Sequence, residues 1–250
     1  MADTVSVNDR FDIDPGQPLP EYDSPTAKAY ACRDGGNKAD FVALVCDPKY
    51  PLRVEAINAL KGFPNHSLMR VQDHGVVNWT LTGRRMPVLV VDRPRGGRVF
   101  ATEDEAIEPF TDEQLTRGFL TPLVASLREM SQRGVTHRNI RPGNLFYSDT
   151  SRRSVMLGEC ISCPAGLFQP DKYESLENAM ADRSARGDGS GLDDLFSVGA
   201  TLLSLVTGKM LPEDPDPQRA IFDRINLGSY ACLVGGTRLQ MNMVEVLRGL

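Results

Sequence analysis

A chain of 250 residues that is 41% hydrophobic can bury a sizeable core, which argues against disorder and suits one two-lobed domain or two small ones. Its 33 acidic and 28 basic residues leave a net charge of −5 with no strongly basic block, so nucleic acid is not an expected partner. Five cysteines, an odd number scattered along the chain, fit reduced thiols in a cytoplasmic setting better than a secreted disulfide framework.

Residues 1–25 are rich in Pro, Asp and Gly, without a basic-then-apolar leader pattern, and are predicted to be an irregular arm. Residues 29–32 and 41–46 flank the turn DGGNK and predict a β-hairpin. Residues 52–60 carry apolar side chains at helical spacing, and residues 71–77 and 87–91 predict two further strands. RPRGG, residues 93–97, is predicted to be a hinge. TDEQ at 111–114 opens a helix on which Leu115, Phe119, Leu120, Leu123, Val124 and Leu127 recur at intervals of three and four. A second apolar helix runs from Leu195 to Val206 and stops at Gly208. Residues 241–250 read as helix without a stop signal, so a continuation past Leu250, with more helices, is expected. No stretch approaches the roughly 20 apolar residues needed to cross a bilayer.

Between the two long helices lies VTHRNIRPGNLFYS, residues 135–148. This segment resembles the catalytic loop of the protein kinases, and the chain is similar to bacterial members of the Ser/Thr kinase superfamily. The resemblance rests on His137, Arg138, Pro142 and Asn144, with Asn139 at the place of the Asp base and Arg141 at that of the Lys. It implies an α+β, bilobal protein-kinase-like fold: a small β-rich N-lobe over residues 26–94 and a larger, mainly helical C-lobe over 95–250. It also implies structural roles for His137, Arg138, Asp194 and Glu177. Asp194 would accept hydrogen bonds from the catalytic-loop backbone, although its place before Leu195 suits a helix N-cap equally. Glu177 would sit at the glutamate that closes the activation segment, which is short, running from Glu159.

The departures fall where phosphoryl transfer needs charge. Asn139 cannot take a proton, and a general base contributes on the order of 10²- to 10⁴-fold. Residues 22–30, at the phosphate-loop position, contain no glycine and include Pro25, which restricts the close approach of backbone donors to phosphate. In FVALVC, Val45 is read at the position of the phosphate-pairing lysine; Glu55 is the candidate for the helix carboxylate that lysine would meet, and without the lysine it reads as an exposed helix charge. Asp92, before the hinge, completes the nucleotide-side candidates. Glu159 in VMLGECI is read at the metal-binding carboxylate; with Asn144 it would hold Mg²⁺ or Mn²⁺ if any metal binds. Cys160 and Cys163 form a lone CxxC without the other ligands of a zinc site.

The expectation is a pseudokinase that binds a protein partner through its lobes, with no cofactor required and only weak ATP and Mg²⁺ or Mn²⁺ binding; no oligomeric state is read. One alternative is an atypical phosphotransferase or nucleotidyl transferase using Arg141, Asn144 and Glu159, with Lys28, Lys38 or Lys49 as the cation. Another is an interaction module with a collapsed, dry pocket.

Overall fold

The structure, a computed structural model, describes residues 4–63 and 65–248. The chain divides into two compact units: Met1–Arg98 with Phe146–Pro164, and Val99–Leu145 with Ala165–Leu250.

The first unit is built on a six-stranded antiparallel sheet. Its strands are β1 (Val5–Val7), β2 (Phe11–Pro18), β3 (Ala27–Asp34), β4 (Asp40–Cys46), β5 (Val71–Trp79) and β6 (Arg84–Asp92), in the order β1-β2-β3-β4-β6-β5. The segment predicted to be an irregular arm is thus a hairpin. Asn8 and Asp9 both take positive φ, 52° and 54°, the requirement of a two-residue primed turn, and the Arg10 N–H donates to the Val7 carbonyl. The sheet curls until β1 also packs against β5, where the Asn8 amide donates to the His74 carbonyl. The concave face buries Phe11, Ile13, Cys32, Ala43, Val45, Trp79, Val88 and Val90 as one cluster. Because side chains alternate along a strand, Val42, Leu44 and Cys46 project from the other face of β4, and they too are buried. Helix α1 (Val54–Leu60) follows, turning Ala56, Ile57 and Leu60 inward.

Residues 93–97, predicted to be a hinge, belong to this unit, and the boundary read after residue 94 falls after Arg98. The N–H groups of Arg95 and Gly96 donate to the carbonyls of Ser148 and Tyr147, and the Tyr22 hydroxyl donates to the Pro94 carbonyl. Any Cβ at Gly96 would lie 2.2 Å from the Asp149 carbonyl oxygen, so no other residue fits. Residues 146–164, counted with the large lobe in the sequence reading, return here. Strands β7 (Leu145–Tyr147) and β8 (Val155–Leu157) pair, and β8 bonds to residues 67 and 69 through Leu157.

The second unit is helical. Thr111 and Gln114 bond reciprocally, as the TDEQ pattern predicts. Residues Gln114–Leu120 then form a π-helical stretch, with the Thr121 N–H reaching back five residues to Thr116 just before Pro122, which has no N–H to continue an ordinary ladder. Helix α2 (Thr121–Gln132) packs against α4 (Gly191–Thr207), whose start is fixed by a capping box between Ser190 and Asp193, worth about 0.5–2 kcal/mol. Asp194 is therefore not the cap. Helix α4 ends at Gly208 in the left-handed conformation, φ 69°, against the Ile107 carbonyl. Helix α3 (Leu176–Met180) precedes α4, and α5 (Pro217–Leu227), α6 (Ser229–Val234) and α7 (Met241–Arg248) follow it. Helix α7 falls where residues 241–250 read as helix, whereas α5 and α6 were not read from the sequence; residues 249–250 lie outside the described residues. Among the described residues no helix is long and apolar enough to cross a membrane.

Candidate functional site

In the second unit the loop after α2 carries His137, Arg138, Asn139, Arg141 and Asn144. Arg138 adopts φ 56°, a left-handed conformation that costs a non-glycine residue energy and persists only where its surroundings impose it. Asp194 imposes it. One carboxylate oxygen accepts from the His137 N–H at 2.7 Å and the other from the Arg138 N–H at 2.8 Å, with all three residues buried.

The Arg138 guanidinium then meets Glu174 in a fully buried ion pair, Nη1 to Oε2 2.8 Å and Nη2 to Oε1 3.2 Å. Arg186 approaches the same carboxylate at 3.7 Å, pairs with Asp171 at 2.5 Å and donates to the Gln169 carbonyl. Arg224, on α5, donates to the Glu174 carbonyl at 2.9 Å. Burial pushes the Glu174 carboxyl up to about 7, outweighing the pull of Arg138 and Arg186. Glu177, read as the structural glutamate of this segment, is exposed in the first turn of α3. Arg224, from the later helix α5, lies within electrostatic reach of both Glu177 and Glu174.

The two polar side chains expected to handle phosphate and metal in this unit are committed to their own loops. The Asn144 amide donates to the Asn139 carbonyl at 2.8 Å, and the Arg141 guanidinium donates to the Phe168 carbonyl. Asn139 is half-buried at the turn they brace.

In the first unit the carboxylate of Glu159 is buried and bent back on its own chain. It accepts from the N–H groups of Ile161 (2.7 Å) and Ser162 (2.8 Å) and from the Ser162 hydroxyl (2.6 Å). The Ser162 hydroxyl is in turn 2.6 Å from that of Thr26, in the loop between β2 and β3 that stands at the phosphate-loop position. Thr26 is buried. The chain Glu159–Ser162–Thr26 thus draws that loop onto the segment following β8, within one unit.

One nucleotide-side assignment, that of Val45, is corrected. Val45 belongs to the concave cluster with Phe11 and Trp79, whereas its neighbour Cys46 points to the face within electrostatic reach of Glu159. Burial first, and Glu159 second, hold the Cys46 thiol well above its ordinary value. The strand position that looks toward the carboxylate is Cys46. Glu55 is exposed, since α1 turns Ala56 and Ile57 inward. Asp92 is occupied by Arg70 at 2.6 Å and Gln72 at 2.6 Å. Lys28 pairs with Asp23 at 2.7 Å and shares the Val45 face, opposite to Cys46, so it does not replace the missing cation beside Glu159. Among the described residues no group of three or more His, Cys, Asp or Glu could hold a metal ion.

A curled antiparallel sheet, one helix on its connection and a helical second unit with a braced HRN loop define a protein-kinase-like α+β fold. Comparison with known proteins agrees. No family model matches the chain. It is 23% identical over 192 residues to the probable serine/threonine-protein kinase PknB of Corynebacterium glutamicum, covering 74% of this chain and 29% of that protein. It is 24% identical to a probable serine/threonine-protein kinase of Corynebacterium efficiens, over 69% of this chain and 26% of that protein. CBL-interacting protein kinase 24 of Oryza sativa is 23% identical over 66% of this chain and 37% of that protein. The chain therefore spans well under half the length of these curated relatives. Among solved structures it is similar to Rad53 1–466 in complex with AMP-PNP, with a TM-score of 0.64 over 96% of this chain and 59% of that one; at 15% identity the likeness is one of fold. The chain is thus similar in sequence to Ser/Thr protein kinases and in fold to a solved protein kinase.

Proposed function

We propose that this chain is a pseudokinase domain, a kinase-like fold that acts as a protein-binding regulatory or scaffold module with little or no phosphoryl transfer. The observation that carries this reading is the Glu159–Ser162–Thr26 hydrogen-bond chain. A nucleoside triphosphate with its metal needs a free carboxylate, a cation beside the phosphates and a loop that stands off from them. Glu159 instead faces its own backbone donors, Cys46 is a neutral thiol, and Thr26 sits on Ser162. The residues present do not fit a bound ATP–metal group. Asn139 adds the loss of the proton acceptor.

The rival reading, an atypical phosphotransferase, draws support from the polar types kept at Arg141, Asn144 and Glu159 and from relatives named as kinases. Thermal unfolding with increasing ATP and Mn²⁺ separates the two, because a ligand confined to the native state adds about 2.7 kcal/mol at a hundredfold excess over its dissociation constant. The pseudokinase reading expects no saturable, metal-dependent rise in melting temperature and no turnover of labelled ATP. Turnover that disappears in Asn144→Ala or Glu159→Gln would overturn it.

A further inference from the structure

We infer that the mouth of the curled sheet in the first unit is a docking groove for an extended acidic peptide that carries an apolar side chain. This rests on the reading of the chain as a binding module and names the surface and the chemistry of its partner.

The groove has a volume of about 690 Å³ and lies where the concave core runs out at the ends of β3, β4 and β6. The strand register puts its walls together. Lys28 is opposite Val45 and Val45 opposite Val88, so Lys28, Val45, Met86 and Arg84 share one face. Val45 ends the buried cluster and the half-buried Met86 packs against it, giving a floor that is apolar and, through the unbranched thioether, adaptable. The rim is cationic: Lys49 and Arg84 flank this floor beside Lys28, which is already paired with Asp23 at 2.7 Å, and Asp47 is the one carboxylate among the lining residues. Asp47 is partly used by its own turn, where it accepts from the Lys49 N–H at 3.0 Å. Among the described residues neither the Lys49 ammonium nor the Arg84 guanidinium has a carboxylate partner. On a chain of net charge −5 this is a local excess of positive charge around apolar surface.

That combination selects the occupant. Carboxylates answer the rim, and one aliphatic side chain answers Val45 and Met86, so an acidic peptide satisfies both at once. A nucleic acid strand does not, since no aromatic residue lines the groove to stack a base and three cations make no continuous track for a phosphate backbone.

The test uses the full chain and a fluorescent peptide, Glu-Glu-Asp-Leu-Asp-Glu-Glu, read by anisotropy at low and physiological salt. Saturable binding is expected, at least tenfold weaker for Lys49→Glu/Arg84→Glu, several-fold weaker when Ser replaces the peptide's Leu, and absent for the Lys counterpart of the peptide. Both substituted side chains are exposed, and an unchanged melting temperature confirms that the variant folds. No binding at millimolar peptide, undiminished binding to the double variant, or equal competition by oligo-dT would overturn the proposal. The outcome is separable from the nucleotide assays: ATP turnover would refute the pseudokinase reading and leave the groove's affinity unchanged, whereas a peptide that fails to bind refutes the groove alone.

Discussion

Replacing Glu174 by Gln tests the buried cluster that fixes the segment over the HRN loop. In the folded protein the Glu174 carboxyl is raised from an ordinary 4.5 to about 7, first by burial, against the opposing pull of Arg138 and Arg186. The folded state therefore keeps a proton between pH 4.5 and about 7 that the unfolded chain has released. With fewer protons bound by the unfolded state, stability falls as pH rises through this window. A shift of about 2.5 units at 1.36 kcal/mol each makes the change about 3 kcal/mol. Other groups titrate in the same window with either sign, so the quantity to measure is the difference between wild type and Glu174→Gln. Gln keeps the shape of the protonated acid without its titration. Urea unfolding at half-unit steps from pH 4 to 8 should show that difference moving by about 3 kcal/mol in favour of the Gln variant as pH rises, whatever its starting offset. Movement of the same size in favour of wild type would refute the reasoning, because the two guanidinium groups would then be holding the carboxylate ionised in spite of its burial.

Asp194→Ala removes the acceptor of two buried N–H groups in a loop whose Arg138 is already in a left-handed conformation; each orphaned donor costs about 1–3 kcal/mol, so a loss of several kcal/mol is expected in denaturant unfolding. A loss below 1 kcal/mol would mean that Asp194 does not hold the turn. For the first unit, a lysine at Cys46 should couple to Glu159 while one at Val45 should not. In double-mutant cycles with Glu159→Gln, the stability coupling should reach 1 kcal/mol or more for Cys46→Lys and stay within about 0.3–0.5 kcal/mol for Val45→Lys. The reverse order would show that the faces of β4 are misassigned.

The second unit was the more legible in the sequence because its signals are local. The HRN segment, the TDEQ start and Gly208 at the end of α4 each lie within a few residues of what they control, and each is found where the pattern put it. The misreadings arose where the deciding contact is distant. Residues 42–46 are all apolar and carry no alternation, so nothing local tells which of Val45 and Cys46 faces Glu159; in a strand, a one-residue error turns every side chain to the opposite face. The β1–β2 hairpin did have a signal, the pairs Val5, Val7 and Phe11, Ile13 on either side of Asn8-Asp9, but the Pro, Asp and Gly content of the segment outweighed it. The buried Glu174 had no local signal at all: it is marked only by the approach of Arg138 and Arg186, 36 residues before it and 12 after it in the sequence.

Within each unit the polar groups are spent in a different direction. In the second unit Arg138, Glu174 and Asp194 hold a strained loop in shape, which is the arrangement a catalytic loop also needs. Retaining it preserves a surface, and a binding module has as much use for a rigid surface as an enzyme has. The groups that would have to address a ligand are engaged locally: Asn144 with the Asn139 carbonyl, Arg141 with the Phe168 carbonyl, Glu159 with Ile161 and Ser162. A phosphate at Arg141, or a metal ion at Glu159, would have to displace hydrogen bonds already made there, and the net return on such an exchange is only the difference between two similar terms. Restoring one missing charge therefore leaves the others turned away, whereas the braced frame around Arg138 survives without any of them.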